Sequence, residues 1–407
     1  MIRLFITSLM LLLSALPVSA QSPAPPPDTR VDASRGGITI TSGVNSLTIG
    51  ARMQFRWTLD DREAFDADIV GDGVGRADGP ASAFDVPRMR ISFSGGAFRP
   101  WLKYEFQFDL SRTGGESGSK IKDAVIEIRP VDRNYSVRLG QFKAPFGLQQ
   151  LTSSGRQQFV DRAITDSKFV PSRDMGVMIR STFADSTIGV DAGVFNGAGE
   201  SRRQSNRSHL LTGRVYYQPW GAYRLSEGSS DAGDDPLLHV GAGVRTGTQV
   251  QGRTATGVFD DADNQTAMNA EFAYKARRVF ATAEYFWMSD AQENPVDGRD
   301  IDSHGFHAQA SYMLVPRVVE AGVRYARIDP DTDVASSDVT EVRGVVGYYW
   351  QGHNLKVQGD VGQVGFDDNF SALASRARQG LPLLGNRLVS GERVRDTQVR
   401  VQLQIAF

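Results

Sequence analysis

The chain has 407 residues, of which 40% are hydrophobic and 23% charged, with no cysteine and a formal net charge of −2. So small a net charge excludes a nucleic-acid partner attracted by bulk charge, and any electrostatic selectivity has to come from where the charges sit. A mean hydropathy of −0.30, with no run of roughly eighteen apolar residues past the extreme N-terminus, excludes a helical membrane protein.

In chain order, residues 1–20 read as a signal peptide. Arg3 precedes an apolar core from Leu4 to Leu16, and Val18-Ser19-Ala20 has the small-x-small form that signal peptidase cuts. Residues 21–46, with Pro23, Pro25, Pro26 and Pro27, read as a Pro-rich periplasmic segment, extended and without a core.

From 47 to 407 the chain alternates. Leu47, Ile49, Ala51, Met53, Phe55 and Trp57 form one row, and Thr48, Gly50, Arg52, Gln54 and Arg56 form the other. Near 86–98, Met89, Ile91 and Phe93 oppose Arg88, Arg90, Ser92 and Ser94. Near 102–110, Leu102, Tyr104, Phe106, Phe108 and Leu110 oppose Lys103, Glu105, Gln107 and Asp109. Further strands are predicted near 121–129, 134–142, 174–183, 187–195, 209–218, 236–246, 264–275, 278–288, 303–314, 317–327, 338–350 and 353–363. The last, 397–407, reads TQVRVQLQIAF. Amphipathic strands with no helices between them satisfy every backbone group in a bilayer only by closing on themselves. The predicted fold is therefore all-β, a transmembrane antiparallel β-barrel of about sixteen strands with short periplasmic turns and long extracellular loops. Turns at 315–317 and 351–353 are short, loops at 59–85, 143–173, 247–263 and 363–393 are long, and the turn at 219–235 is longer than its neighbours.

Catalytic signatures are absent: there is no nucleophile elbow, Walker A loop or HExxH. His304 and His307 lie three apart on a strand, hence on opposite faces, and cannot share an ion. The triplets Asp66, Asp68, Asp72 and Asp329, Asp331, Asp333 lack the Gly and final Glu of an EF-hand and read as solvated loops. No enzyme, cofactor or metal site is expected. The informative residues face the water-filled side. Closure makes the last strand and the first two neighbours, which places Arg400, Arg52, Arg56, Arg88 and Arg90 in one stripe with no acid among them, and Arg138 extends this candidate anion path. Guanidinium forks match carboxylate and phosphate oxygens and stay charged at any working pH. At the start of the loop 143–173, Gly140, Pro145 and Gly147 allow a sharp inward bend. Its cations Lys143, Arg156, Arg162, Lys168 and Arg173 outnumber Asp161 and Asp166, so it reads as a constriction loop.

The run Gly140-Gln141-Phe142-Lys143-x-Pro145-Phe146-Gly147-Leu148, followed by Thr152-Ser153-Ser154 and Phe159, resembles the phosphate-selective porin O and P family. Val194-Phe195-Asn196-Gly197, Val319-Glu320-Ala321-Gly322-Val323-Arg324-Tyr325 and the terminal Phe407 are further similarities. The resemblance implies a sixteen-stranded bacterial outer-membrane porin, usually a homotrimer, whose third long loop enters the bore and whose Arg and Lys residues conduct phosphate-like small anions. It also implies that the insertion machinery reads Phe407, and that lipid and lipopolysaccharide surround the barrel. The alternatives are a general porin without anion preference, or a barrel with a plugged bore acting as adhesin or envelope anchor. If the loop narrows the bore, deleting residues 155–167 raises single-channel conductance in planar bilayers while the barrel persists.

Overall fold

The computed structural model describes residues 29–33, 37–62, 80–111, 120–202, 208–250, 262–291, 300–374, 377–381 and 391–407. The expected signal peptide and Asp66, Asp68 and Asp72 lie outside the described residues. Two short strands, β1 (Thr29–Asp32) and β2 (Ile38–Ser42), come first. Sixteen longer ones follow: β3 (Asn45–Arg62), β4 (Ala81–Gly96), β5 (Leu102–Asp109), β6 (Lys120–Ile128), β7 (Tyr135–Lys143), β8 (Arg173–Phe183), β9 (Ile188–Phe195) and β10 (Leu210–Tyr217), then β11 (Leu237–Val250), β12 (Ala262–Lys275), β13 (Val279–Ala291), β14 (Ile301–Val315), β15 (Val319–Asp329), β16 (Val339–Tyr349), β17 (Leu355–Phe366) and β18 (Val394–Ala406).

Each of β3 to β18 pairs antiparallel with the next, and β18 returns to β3 in the register Ala406↔Arg52 to Asp396↔Arg62. The barrel is closed, as the alternation predicts. All sixteen expected strands are present, several of them longer than expected. β3 runs on to Arg62 and β4 begins at Ala81, inside the stretch read as loop. The short β1 and β2 fall in a segment in which the sequence shows no strand. Pairing supplies their reason. β18 ends where Phe407 and Ala51 exchange backbone hydrogen bonds of 2.9 and 2.8 Å, which would leave the start of β3 with a bare edge. β2 takes over there, Ile38↔Ile49 to Ser42↔Asn45, and β1 pairs with β2. At the handover Gly37 has φ +114°, and a Cβ on it would lie 2.8 Å from the Ile49 carbonyl oxygen, so only glycine fits the gap.

Burial is inverted relative to a soluble protein. Val323, Val342 and Val361 are 65%, 59% and 53% exposed, whereas Arg324, Arg343 and Asp360, one residue away on the same strands, are 2%, 3% and 3% exposed. Apolar side chains point to lipid and charged ones into the barrel. On β12 to β17 the interior is layered. Towards the long loops it is apolar, with Ala267, Phe286, Met288, Ile301, Ala326, Ile328, Val339, Val364 and Phe366 in one cluster. The middle layer is polar, with Glu284, His307, Arg324, Glu341, Arg343 and Asp360 all buried. Towards the short turns lie Lys275, Glu320, Tyr349, His353 and Lys356. Val323→Arg puts a charge on the lipid face midway along β15 and is expected to destabilise the barrel by about 2–4 kcal/mol, read as a lowered urea midpoint in lipid vesicles.

Candidate functional site

Residues 144–172 fold into the barrel, and the apolar outer layer explains why. Phe146, Ala163, Ile164 and Phe169 of the loop join Phe286, Met288, Ile328 and Phe366 of the wall in one buried cluster. Phe169 stacks on Phe286 with centroids 5.4 Å apart and planes 1° from parallel. Burying such side chains removes apolar area from water at about 25 cal/mol per Å², and water in an open bore offers nothing comparable.

Local chemistry then fixes the path. Gly147 turns the chain with φ 77°, where a Cβ would meet Val170 at 2.9 Å. In the short helix α1 (Leu148–Leu151), the Leu148 and Gln149 amides donate to the Glu284 carboxylate at 2.6 and 2.7 Å. At its other end the Lys143 ammonium donates to the carbonyls of Gln150, Leu151 and Thr152, the latter two at 3.2 and 3.1 Å. An acid at the amides and a cation at the carbonyls suit the peptide dipoles. Lys356 Nζ holds the Gln157 carbonyl at 2.7 Å, and Asp360 accepts from the Val160 amide at 3.1 Å. In the second helix, α2 (Ile164–Phe169), Thr165 Oγ1 lies 2.7 Å from His307 Nδ1. The chain returns to the wall where Arg173 grips Asp123 with both forks, at 3.0 and 2.8 Å.

The arginine stripe exists, but it is not free of acid. Asp161, carried in by the loop, lies 2.9 Å from Arg56, 3.1 Å from Arg88 and 2.9 Å from Arg400. Strand parity alone could not place a loop residue among the strands, so the acid-free stripe read from sequence is corrected. The network continues as alternating charge: Arg400 and Arg343 share Asp360, and Arg343 and Arg324 share Glu341. Arg324 also donates to the Asp161 carbonyl at 2.9 Å and lies over the Phe159 ring at 4.4 Å. Burial works to raise the Asp161 carboxyl, and the guanidiniums of Arg56, Arg400 and Arg88 more than reverse it, holding it well below the usual carboxylate range.

Arg90 sits opposite Asp109 in register and bonds it at 2.8 Å, a second acid in the stripe. Arg52 differs. It is the cross-strand partner of Arg90, and its guanidinium donates to the hydroxyls of Ser153 and Ser154 at 3.0 and 3.1 Å. It fits against Gly155, whose added Cβ would lie 2.3 Å from Nη1. Like charges directly opposite each other cost a sheet stability, and the one carboxylate here belongs to Arg90. Arg138 reaches Glu105 at 3.4 Å and stacks on Phe142 at 5.0 Å.

The loop cations fall into two groups. Lys143 and Arg162 hold carbonyls of α1, Arg162 those of Gln149 and Thr152 at 3.1 and 3.0 Å. Lys168 holds the Ala377 carbonyl at 2.7 Å, and Arg173 is paired. Arg156 is exposed, and its guanidinium has no hydrogen-bond partner among the described residues. With β11 to β18 covered by the loop, the less covered wall runs along β5 to β8, where the side chains of Glu105 and Arg180 are 42% and 39% exposed against 0% for Arg324. The sequence reading missed Asp161 as the hub, and Glu284, Glu341 and Asp360 as the acceptors that seat the loop. A signal was present: Phe286, Met288, Val364 and Phe366 stand on the inward row, where a water-filled bore needs none.

Asp161→Asn keeps the shape and removes the charge. We expect a stability loss of about 1–3 kcal/mol, read by urea unfolding, with the salt-gradient reversal potential moving toward anions as three guanidiniums are released. Because the Asp161 pKa is depressed in the folded state, its pairing stabilises above the ordinary carboxylate range and is lost only as pH falls through the depressed value.

The model of the family described as phosphate-selective porin O and P matches residues 58–380. Porin O of Pseudomonas aeruginosa is 25% identical over 382 residues, covering 85% of this chain and 82% of that protein. Among solved structures, the anion-selective porin from Comamonas acidovorans has a TM-score of 0.57 at 14% identity, covering 89% of this chain and 100% of that one. The trimer form of OmpT from Vibrio cholerae has a TM-score of 0.51 at 12% identity, covering 88% and 99%.

Proposed function

The chain belongs to the phosphate-selective porin O and P family and is an outer-membrane porin, and from that premise we propose that its channel is passive and prefers anions, phosphate or related small anions being its solutes. Family and fold point to a channel rather than an enzyme. The observation that carries anion preference is the pair Arg52 and Arg90, held opposite each other at the loop with a single carboxylate, Asp109, bonded to Arg90. Such an arrangement costs the empty protein stability and is relieved by a passing anion. Arg156 adds a charge on the same loop without a hydrogen-bond partner among the described residues. Attraction at contact is about 1 kcal/mol in water and severalfold more between low-dielectric walls. Weak sites in series let an anion both enter and leave.

The assembly is proposed to be a homotrimer, supported by the trimeric OmpT with which it shares the barrel fold. The signal peptide at 1–20, the Pro-rich segment at 21–46, reading of Phe407 by the insertion machinery and contact with lipopolysaccharide complete this proposal. Calcium plays no part in it.

Replacing Arg52, Arg56 and Arg90 together is a poor test, because Arg56 holds Asp161 and its loss moves the loop. Arg156→Gln is cleaner, and Arg52→Gln follows it. In planar bilayers under a salt gradient, each loss is expected to lower the anion-to-cation permeability ratio by roughly fivefold or less, the equivalent of about 1 kcal/mol, and to weaken block of chloride current by phosphate. Unchanged reversal potentials in both variants would make this a general porin, its wall charges serving solvation and loop anchoring. A parent protein with no conductance at all would favour the anchor reading.

A further inference from the structure

The periplasmic turn between β10 and β11 is long, and it does not stay outside. Ser226, Glu227, Ser229 and Ser230 are buried, at 1%, 4%, 0% and 6% exposure. The wall draws the turn in. Lys275 donates to the Ser226 carbonyl and hydroxyl at 3.0 and 2.6 Å and to Asp231 at 2.9 Å. Glu320 accepts from the Ser229 amide at 2.9 Å, and Gly228 has φ +74° with space for no Cβ, which would lie 2.4 Å from the Glu320 carboxylate. Inside the barrel the turn meets the underside of the constriction loop. The Glu227 carboxylate accepts from the Gln158 amide and from Gln149 Nε2, both at 2.9 Å, while its own amide donates to the Arg156 carbonyl at 2.8 Å. Leu148 of the loop packs with Tyr223 of the turn and Ala273.

Glu227 therefore ties together the start of the loop, at α1, and its tip, at Arg156 and Gln158. Among the described residues, no strand of the wall makes both contacts. Polar side chains on both elements are buried near this junction. Side-chain polar atoms of Gln157 and Gln158 on the loop, and of Ser229 and Ser230 on the turn, are buried without partners. Each such group costs free energy that water would restore if loop and turn separated. Turn and loop are thus joined by the Glu227 carboxylate and amide and by the Leu148–Tyr223 contact.

We propose that the turn at 218–236, acting through Glu227, is a positioning element that holds the constriction loop from the periplasmic side, so that pore width is set from both ends of the barrel. Glu227 is a positioning residue: it carries Arg156 at its place in the pore and touches no solute. The inference rests on the porin reading and is independent of anion preference.

Single-channel recording of Glu227→Ala, with Glu227→Gln as the conservative variant, tests it. Losing hydrogen bonds to a charged group shifts the seated and unseated populations about tenfold. A high-conductance substate is therefore expected to be occupied about ten times more often in Glu227→Ala, with Glu227→Gln between it and the parent. Glu227→Ala records that match the parent in conductance and substate occupancy, in a barrel of normal heat-modifiable gel mobility, would overturn the proposal. So would a lowered unfolding midpoint with no electrical change, since that is all a merely structural role predicts. Should Glu227→Ala fail to insert, Gly228→Ala, which strains the turn without touching the loop, is read for the same substate with the same two outcomes. A changed reversal potential is the readout for anion preference and is scored separately.

Discussion

Everything in this molecule follows from the need to pair backbone groups where there is no water. A strand in hydrocarbon leaves its amides and carbonyls unsatisfied unless a neighbour takes them on each side, and β18 on β3 completes the circle. The constraint reaches the details. Where β18 ends at Phe407, β2 continues the pairing along β3, and Gly37 sits at the handover with a positive φ and no room for a Cβ. Closure also decides what faces inward, because alternation sends every second side chain to the same side of a continuous wall.

An interior lined by alternate residues is a second problem, since a barrel of sixteen strands is too wide for wall side chains to fill. This chain treats one side of the bore as a protein core. Apolar residues on the inward rows of β12 to β17 pack against Phe146, Ile164 and Phe169 of the loop. Buried charges beneath them are paired in an alternating series from Arg324 through Glu341, Arg343, Asp360 and Arg400 to Asp161. Breaking such a series leaves a buried charge uncompensated, and this gives the loop one position. The opposite side, β5 to β8, is less covered, with Glu105 and Arg180 partly exposed.

That division changes what the arginines mean. Arg56, Arg88 and Arg400 face the bore and spend much of their field on Asp161. Lys143 and Arg162 act on backbone carbonyls and shape the loop. The surplus positive charge lies in fewer residues, Arg52 and Arg156 above all, held beside or upon the loop. A count of basic residues overstates the field an anion meets, because a guanidinium already saturated by a carboxylate has little left for a solute.

The sequence by itself determined the sixteen strands, their order, and the inward and outward rows. Period-two alternation is a local property, and closure is its one solution in a bilayer. Arg52, Arg56, Arg88, Arg90 and Arg400 were therefore legible as neighbours on the water side. Only the tertiary structure decided that Asp161 sits among them and that Asp109 answers Arg90. It alone decided that the turn carrying Glu227 rises to meet the loop. Strand parity assigns a face to every residue within a strand and none to a residue in a loop. The partners of loop residues are chosen by three-dimensional packing against Phe286, Phe366 and their neighbours, hundreds of positions away in some cases, and no local period records that choice.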